Sequence, residues 1–109
     1  LANFDNAKKW RVQRTADAGS HSWFGFGLVF NTPELRDQAR DRLVANDIGV
    51  RPIVTGNFTN QPVMARSGIN PNDFPNANEL ENCGLFLGNS PIDLTADIEL
   101  TAMNLKAVL

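Results

Sequence analysis

The residues best suited to contact a ligand are concentrated in two short runs. The first is Ser22-Trp-Phe-Gly-Phe-Gly27, and the second extends from Arg51 to Val63 with the sequence Arg-Pro-Ile-Val-Thr-Gly-Asn-Phe-Thr-Asn-Gln-Pro-Val. Both combine glycine, aromatic and turn-forming residues at the edge of an apolar, strand-like run, which is typical of rigid turns that present polar groups to a ligand. Neither run holds a complete catalytic apparatus, so the pattern predicts binding and not catalysis.

Segment 56–62 of the second run allows two interpretations. In the first it is a plain connection, in which Gly56 and Asn57 adopt left-handed conformations and Pro62 fixes the exit. In the second, Phe58 forms an apolar wall and polar side chains hydrogen-bond a neutral, oxygen-rich ligand such as a sugar. Those polar residues are Asn57, Thr59, Asn60 and Gln61.

Arg51 and His21 each carry a functional and a structural interpretation. Arg51 lies within a strand-like run, where it either forms a structural ion pair or clamps a phosphate or carboxylate through its guanidinium. His21 lies in a Gly/Ser loop with no partner evident in the sequence. A surface or turn histidine is therefore favoured over an acid or base.

Other catalytic and metal-binding patterns are missing from the sequence. No local signature of a Ser/His/Asp arrangement occurs, and no glycine-rich phosphate cradle precedes a helix. None of the three lysines, Lys8, Lys9 and Lys106, has the apolar setting of a Schiff-base lysine. One cysteine, Cys83, and one histidine exclude a Cys/His metal site made by this chain alone.

Length and composition predict one globular domain over residues 1–109, because the chain can form a single core but not two. A net charge of −2 with scattered basic residues disfavours nucleic-acid binding, and no apolar run is long enough to cross a bilayer. The lone cysteine and the lack of a visible secretory signal predict a cytoplasmic location. The chain begins at Leu1 and not at Met, which favours a piece of a longer polypeptide.

In the first half of the chain, the helical spacing of Phe4, Ala7 and Trp10 predicts a helix over residues 3–16. A strand is predicted over residues 23–30, with Trp23, Phe24 and Phe26 in the core. Its glycines, Gly25 and Gly27, imply a bulge or a close backbone approach. A helix then begins at Thr32-Pro33 and ends at about residue 46, with Leu35, Ala39, Leu43 and Val44 on one face, and a strand follows over 50–54.

In the second half, residues 67–78 are predicted to form a loop. Asn76 and Glu79 fit a capping box for a short helix that ends near Cys83, where the cysteine is a buried small residue. A strand over 84–88 and a helix from Thr95 complete the chain, the helix with Ile98, Ala102, Leu105 and Leu109 on one face. This order predicts a two-layer α+β fold, with a small, mainly antiparallel sheet of about three strands covered by helices on one side.

Four motifs occur in an order that resembles the C-terminal part of the DegT/DnrJ/EryC1/StrS family of sugar aminotransferases. They are Ser22-Trp-Phe-Gly-Phe26, Gly49-Val-Arg-Pro52, Gly56-Asn-Phe-Thr-Asn-Gln-Pro62 and Gly84-Leu-Phe-Leu-Gly-Asn89. Within the family the chain is most similar to the nucleotide-diphospho-4-keto-6-deoxyhexose 3-dehydratases. The resemblance covers roughly residues 20 to 109.

The resemblance implies a homodimeric parent enzyme of aspartate-aminotransferase fold that uses pyridoxal phosphate (PLP) or pyridoxamine phosphate (PMP). An N-terminal domain, absent from this chain, would hold the cofactor and the Lys or His that decides between aminotransferase and dehydratase. This chain would be the small C-terminal domain that closes one side of the active-site cleft. It implies no catalytic residue here, so the isolated chain would be inactive. The positions that match the motif nearest the sugar-nucleotide substrate are Arg51, Asn57, Phe58 and Gln61.

Departures from the family pattern bear on the choice between activities. The loop after Arg51-Pro52 lacks the histidine of ordinary sugar aminotransferases and is one residue longer, which favours a dehydratase over an aminotransferase. Some dehydratases of the group bind an iron-sulfur cluster through several cysteines. The single cysteine here cannot supply one, which leaves open ligands upstream of this chain. An alternative of a different class is a free-standing α+β module that binds a small ligand or regulates a partner.

Overall fold

Four strands and three helices form the fold of the computed structural model, which describes residue 6 and residues 8–108. In chain order they are β1 (Trp10–Val12), β2 (Gly25–Phe30), α1 (Pro33–Val44), β3 (Val50–Arg51), α2 (Pro75–Cys83), β4 (Gly84–Gly88) and α3 (Thr95–Lys106). The strands form one antiparallel sheet in the order β1-β2-β4-β3. The predicted α+β fold is thus confirmed, with one strand more than expected. Within the described residues no helix has the length and apolar character needed to span a bilayer.

The additional strand, β1, comes from the segment for which the sequence predicted a helix. Trp10 pairs with Phe30 and Val12 with Leu28, so alternate residues of β1 face the core. Trp10 is only 3% exposed, and its ring centroid lies 5.9 Å from that of Phe30. The helix prediction is wrong over all the described residues of its range from 8 to 16, which form a turn, strand β1 and an irregular segment. Packing of Trp10 on the sheet outweighs a weak local helical preference. Phe4 and Ala7, on which that prediction also rested, lie outside the described residues.

The core lies between one face of the sheet and helix α1. Leu28, Phe30, Leu85 and Leu87 alternate with outward-facing residues along β2 and β4 and are buried. Helix α1 begins as predicted, because the Thr32 side chain accepts a hydrogen bond from the Leu35 amide at 3.2 Å. Ala39 and Leu43 of α1 are fully buried, whereas Val44, predicted on the same face, is exposed at the last turn. Burying these side chains against the sheet is the main stabilising contribution to the domain.

Helix α3 packs on α1 and completes the core through Leu105. The buried Asn104 side chain joins the two helices, because its Oδ1 accepts a hydrogen bond from Arg42 Nε at 3.0 Å. The face predicted for this helix is only partly correct. Ile98 is 51% exposed, while Thr101 and Asn104 are buried in its place, and Leu109 lies outside the described residues.

Helix α2 starts two residues earlier than the predicted capping box implies. Its first residue is Pro75 and its N-cap is Phe74, which supplies no side-chain hydrogen bond, so the capping box of Asn76 and Glu79 is wrong. Proline has a fixed φ that suits the first turn of a helix, and it has no amide proton that would need a cap. Glu79 instead forms an exposed ion pair with Arg11 of β1. Cys83 ends the helix and is buried as predicted, and this burial raises the pKa of its thiol.

The strands and loops deviate from prediction mainly in length. β2 begins at Gly25 and not at residue 23, and β3 ends at Arg51, because Pro52 has no amide proton to continue the ladder. Between β3 and α2 the chain forms three short 3₁₀ turns, Phe58–Asn60, Pro62–Met64 and Pro71–Asp73. The chain between β3 and α2 therefore consists largely of turns. The second predicted ligand-binding run lies almost entirely within this connection.

Candidate ligand-binding site

The sheet face opposite α1 carries small residues and one large aromatic ring. Side chains alternate across a strand, so Gly25 and Gly27 of β2 share this face with Phe86 and Gly88 of β4. The ring of Phe86 lies directly over Gly25, where an added β-carbon would be 1.9 Å from Phe86 Cζ. This confirms the close approach predicted at Gly25. Strand pairing runs continuously from Gly25 to Val29, so the alternative of a bulge is wrong over that stretch.

Phe24 lies against the outer side of the Phe86 ring. The two ring centroids are 5.9 Å apart with an interplanar angle of 28°, a stacked arrangement. Phe24 is nevertheless 87% exposed, so its predicted place in the core is wrong. Phe26, one pleat further along, does pack against the core, and Trp23 is half-buried.

Arg51 lies on the same open face, because it pairs with Phe86 across β3 and β4. Its side chain is exposed, and among the described residues no carboxylate lies within ion-pair distance of it. The structural ion pair considered from the sequence is therefore not formed within the described part of the chain. A cleft of about 350 Å³ opens here, which we call the open-face cleft, and its lining residues are Phe24, Gly49, Val50, Arg51, Phe86, Gly88 and Asn89.

Asn57 is the centre of the loop that follows β3. Its side chain is 1% exposed and uses both ends of its amide within the chain. The Nδ2 group donates to Asn78 Oδ1 at 2.8 Å and to the Pro71 carbonyl at 3.1 Å. The Oδ1 atom accepts from the Thr59 amide at 3.0 Å and from the Thr59 hydroxyl at 2.6 Å. These bonds tie the first 3₁₀ turn to the third and to helix α2.

Glu81 of α2 provides the second attachment of this loop. Its Oε2 atom accepts from the Asn57 amide at 3.3 Å and from Asn60 Nδ2 at 2.6 Å. Gly56 has a φ of +53°, and a β-carbon there would lie 2.7 Å from the Glu81 side chain. Both the left-handed backbone and the lack of space require glycine at this position.

The loop leaves Phe58 and Gln61 accessible. Phe58 is 52% exposed at the start of the first 3₁₀ turn, and Gln61 is partly exposed between the first two turns. The left-handed backbone predicted for Gly56 is confirmed, whereas Asn57 has a φ of −86°. The residue next to Gly56 that is left-handed is instead Thr55, with a φ of 59°. The backbone thus turns before Asn57 and leaves its amide free to bond inward.

The four predicted binding residues fall into two groups, one in strand β3 and one in the loop that follows it. Arg51 lies beside Phe86, whereas Asn57, Phe58 and Gln61 follow in the loop near α2. Ile53 lies between the groups and covers Gly84, where an added β-carbon would be 2.5 Å from Ile53 Cδ1. Phe24 and Phe86 also line the open-face cleft, although the sequence analysis placed Phe24 in the core and did not single out Phe86. The available signal was the glycine at position 25, which a large ring on the neighbouring strand requires.

A second cavity, of about 320 Å³, lies at the opposite side of the sheet beside α3. Trp23, Phe26, Leu87 and Ile98 form much of its wall, so its character is largely apolar. His21 lies at the surface near it and stacks on Trp23, with ring centroids 4.0 Å apart. The surface location agrees with the structural interpretation of this histidine.

The chain has measurable relatives among known enzymes, although no family model matches it. It is 36% identical over 87 residues to the GDP-4-keto-6-deoxy-D-mannose 3-dehydratase of Yersinia pseudotuberculosis, a match that covers 76% of this chain and 22% of that enzyme. It is 37% identical over 87 residues to the enzyme of the same name from Escherichia coli O55:H7, with the same coverage. The chain therefore corresponds to about a fifth of the length of these relatives.

Solved structures extend the match to nearly all of the fold. The E. coli GDP-4-keto-6-deoxy-D-mannose 3-dehydratase with bound hydrated PLP superposes with a TM-score of 0.81 at 32% identity, over 96% of this chain and 28% of that one. A structure of the enzyme with a trapped PLP-glutamate geminal diamine gives a TM-score of 0.80, with the same identity and coverage. A variant with bound GDP-perosamine gives 0.77, again with the same identity and coverage.

Proposed function

Because the chain belongs to the DegT/DnrJ/EryC1/StrS family of PLP enzymes, we propose that its parent protein is a GDP-4-keto-6-deoxy-D-mannose 3-dehydratase. In this proposal the chain is the C-terminal domain of that enzyme. The observation that carries the proposal is the match of 96% of this fold, at 32% identity, to only 28% of a PLP-bound dehydratase. A match of that kind is the expected result for one domain of a larger enzyme. The parent then acts in deoxysugar synthesis.

The described residues do not by themselves fit a PLP site. A Schiff-base lysine lies in a desolvated, apolar setting, but Lys8 and Lys106 are exposed and Lys9 is only half-buried. Neither of the two cavities described above is lined by a lysine. We therefore assign the cofactor, PLP or PMP, to an N-terminal domain of the same polypeptide.

The chain's own contribution is to bind and orient the sugar nucleotide. Arg51 is exposed and free to form a bidentate contact with a phosphate, and Phe58 and Gln61 present an apolar ring and an amide at the accessible side of the loop. Asn57 acts differently, because its amide is committed to Thr59, Pro71 and Asn78. In this proposal Asn57 is a positioning residue that holds Phe58 and Gln61 in place.

The wider assembly follows the same family logic. The parent is a cytoplasmic homodimer in which this domain closes one side of a cleft formed with the cofactor domain. The exposed apolar side chains of this chain, among them Val54, Val63 and Met103, offer surface for contacts with the remainder of the enzyme.

Product analysis of the full-length protein tests the proposed activity. The protein is incubated with GDP-4-keto-6-deoxy-D-mannose, PLP and glutamate, and the product is identified by mass spectrometry and NMR. We expect a GDP-sugar that has lost its 3-hydroxyl group and keeps the 4-keto group. A product in which an amino group replaces the 4-keto oxygen would identify an aminotransferase. Unchanged substrate and no bound cofactor would contradict both activities and support the separate binding or regulatory module.

Substitution of Arg51 tests the assignment of the anion contact. Because Arg51 has no described ion-pair partner, Arg51→Gln should leave folding unchanged and weaken binding of GDP to the full-length enzyme about tenfold, as for the loss of a charge-assisted contact. The Kd is measured by isothermal titration calorimetry, and the difference between the two proteins should shrink as salt is raised. Arg66→Gln, at another exposed arginine in the following loop, is the control and should bind GDP normally. Equal Kd values for all three proteins would show that Arg51 does not contribute to GDP binding.

A further inference from the structure

We propose that the stacked pair Phe24 and Phe86 forms, together with Arg51, a substrate-binding surface for a phosphate-bearing sugar or nucleoside. Arg51 takes a phosphate oxygen, and Phe24 packs against the ring that the phosphate carries. This inference rests on the proposed function and adds to it two aromatic residues that lie outside the predicted set. All three residues line the open-face cleft of about 350 Å³.

The exposure of Phe24 is the first argument for a ligand. A phenyl ring that is 87% exposed forgoes most of its favourable transfer from water, and yet it stacks on Phe86 at 5.9 Å in a defined orientation. The pair therefore forms an apolar surface whose inner ring is fixed and whose outer ring remains accessible. Stacking of an additional ring on such a surface is a common way to recognise sugars and bases.

The orientation of Phe86 is fixed by the backbone beneath it. Its ring occupies the space that a side chain at Gly25 would need, with the hypothetical β-carbon only 1.9 Å from Phe86 Cζ. A side chain placed against bare backbone in this way has few alternative positions. The surface is thus preorganised, which reduces the entropy lost when a ligand binds.

Charge and space complete the surface. Arg51 is the cross-strand partner of Phe86, so its guanidinium emerges from the sheet beside the aromatic pair. Gly49 and Gly88, at the wall of the same cleft, have no neighbouring atoms within 4 Å of where a β-carbon would lie. A cation beside an aromatic ring and open backbone suits a ligand that joins an anionic group to a ring.

Binding measurements on the full-length enzyme with three probes test the inference. Pyrophosphate carries only the anion, GDP adds a base and ribose, and GDP-mannose adds a hexose. We expect Phe24→Ala to weaken GDP-mannose or GDP binding about tenfold and to leave pyrophosphate binding unchanged, because only the ring contact is lost. Phe24→Tyr should retain wild-type binding, and Ile92→Ala, at another strongly exposed apolar residue, should have no effect. If Phe24→Ala weakens the binding of GDP-mannose alone, the ring that contacts Phe24 is the hexose. If it weakens the binding of both GDP and GDP-mannose, that ring belongs to the nucleoside.

Several outcomes would overturn the inference. One is equal binding of all probes by Phe24→Ala and wild type. Another is a Phe24→Ala variant whose binding of pyrophosphate is weakened as much as its binding of the nucleotides. The last is no binding of any probe to the wild-type enzyme. A lower melting temperature of Phe24→Ala with unchanged Kd values would assign the aromatic pair to a contact with the rest of the enzyme. Because none of these readings uses turnover, a full-length protein that lacks dehydratase activity but shows the predicted Kd pattern would contradict the proposed reaction and still support the surface.

Discussion

Replacing Asn57 with alanine is expected to lower the free energy of unfolding by about 2–4 kcal/mol, the largest effect of any single substitution in the site. The substitution removes four hydrogen bonds made by one buried side chain and leaves the Thr59 amide without its acceptor. The loop that holds Phe58 and Gln61 should loosen as a consequence. Urea denaturation of the chain gives the change in stability, and KM for the GDP-sugar in the full-length enzyme should rise while kcat is less affected.

Two further variants sharpen this prediction. Asn57→Asp keeps the oxygen that Thr59 requires but loses the Nδ2 donor and places a carboxylate near the Pro71 carbonyl and Glu81, so it should be nearly as unstable as the alanine variant. Asn72→Ala, at an exposed asparagine of the third 3₁₀ turn, is the matched control and should change stability by less than about 0.5 kcal/mol. Equal stability of Asn57→Ala and Asn72→Ala would show that the loop does not depend on the buried amide.

Gly25→Ala is expected to destabilise the chain by about 1–3 kcal/mol, although alanine is otherwise the better residue for order. The new methyl group would occupy the position of the Phe86 ring, so this ring must leave its place over the strand. Phe24 would then lose the surface on which it stacks, and the sheet face beside Arg51 would change shape. A lower melting temperature, together with weaker GDP-mannose binding by the full-length enzyme, is the expected result.

Gly88→Ala provides the control for this steric argument. Gly88 is the direct cross-strand partner of Gly25, but it has no atoms within 4 Å of the added methyl position. The melting temperature of Gly88→Ala should therefore equal or slightly exceed that of the wild type. If Gly25→Ala is as stable as Gly88→Ala, the close contact between Phe86 and Gly25 is not required by the fold.

The sequence allowed most of the fold to be predicted where local signals and packing agree. Thr32-Pro33 marked the start of α1, and Gly84-Leu-Phe-Leu-Gly88 marked β4, since both patterns are strong over a few residues. The strand β1 could not be predicted in the same way. Its assignment depends on the long-range pairing of Trp10 with Phe30, which is not recorded in the local spacing.

The site was predictable in its location but not in the direction of its side chains. The turn-forming residues indicated a rigid loop, and Gly56 takes the expected left-handed conformation. Whether the Asn57 amide points outward or inward depends on Pro71, Asn78 and Glu81, which approach only in the folded chain. The exposure of Phe24 likewise depends on the ring of Phe86 from another strand. Contacts between residues that are distant in the sequence thus decide which side chains support the site and which remain exposed.

The proposed assignment of the cofactor to another domain of the same polypeptide is tested most directly by the amount of PLP that this chain and the full-length protein each retain. The folded 109-residue chain and the full-length protein are each incubated with PLP and desalted, and the bound cofactor is measured by absorbance, with circular dichroism to verify that the short chain is folded. We expect the full-length protein to retain about one PLP per polypeptide and the short chain to retain none, because its described lysines lie outside any desolvated pocket. Stoichiometric retention of PLP by the folded short chain would contradict the assignment of the cofactor and its chemistry to another domain.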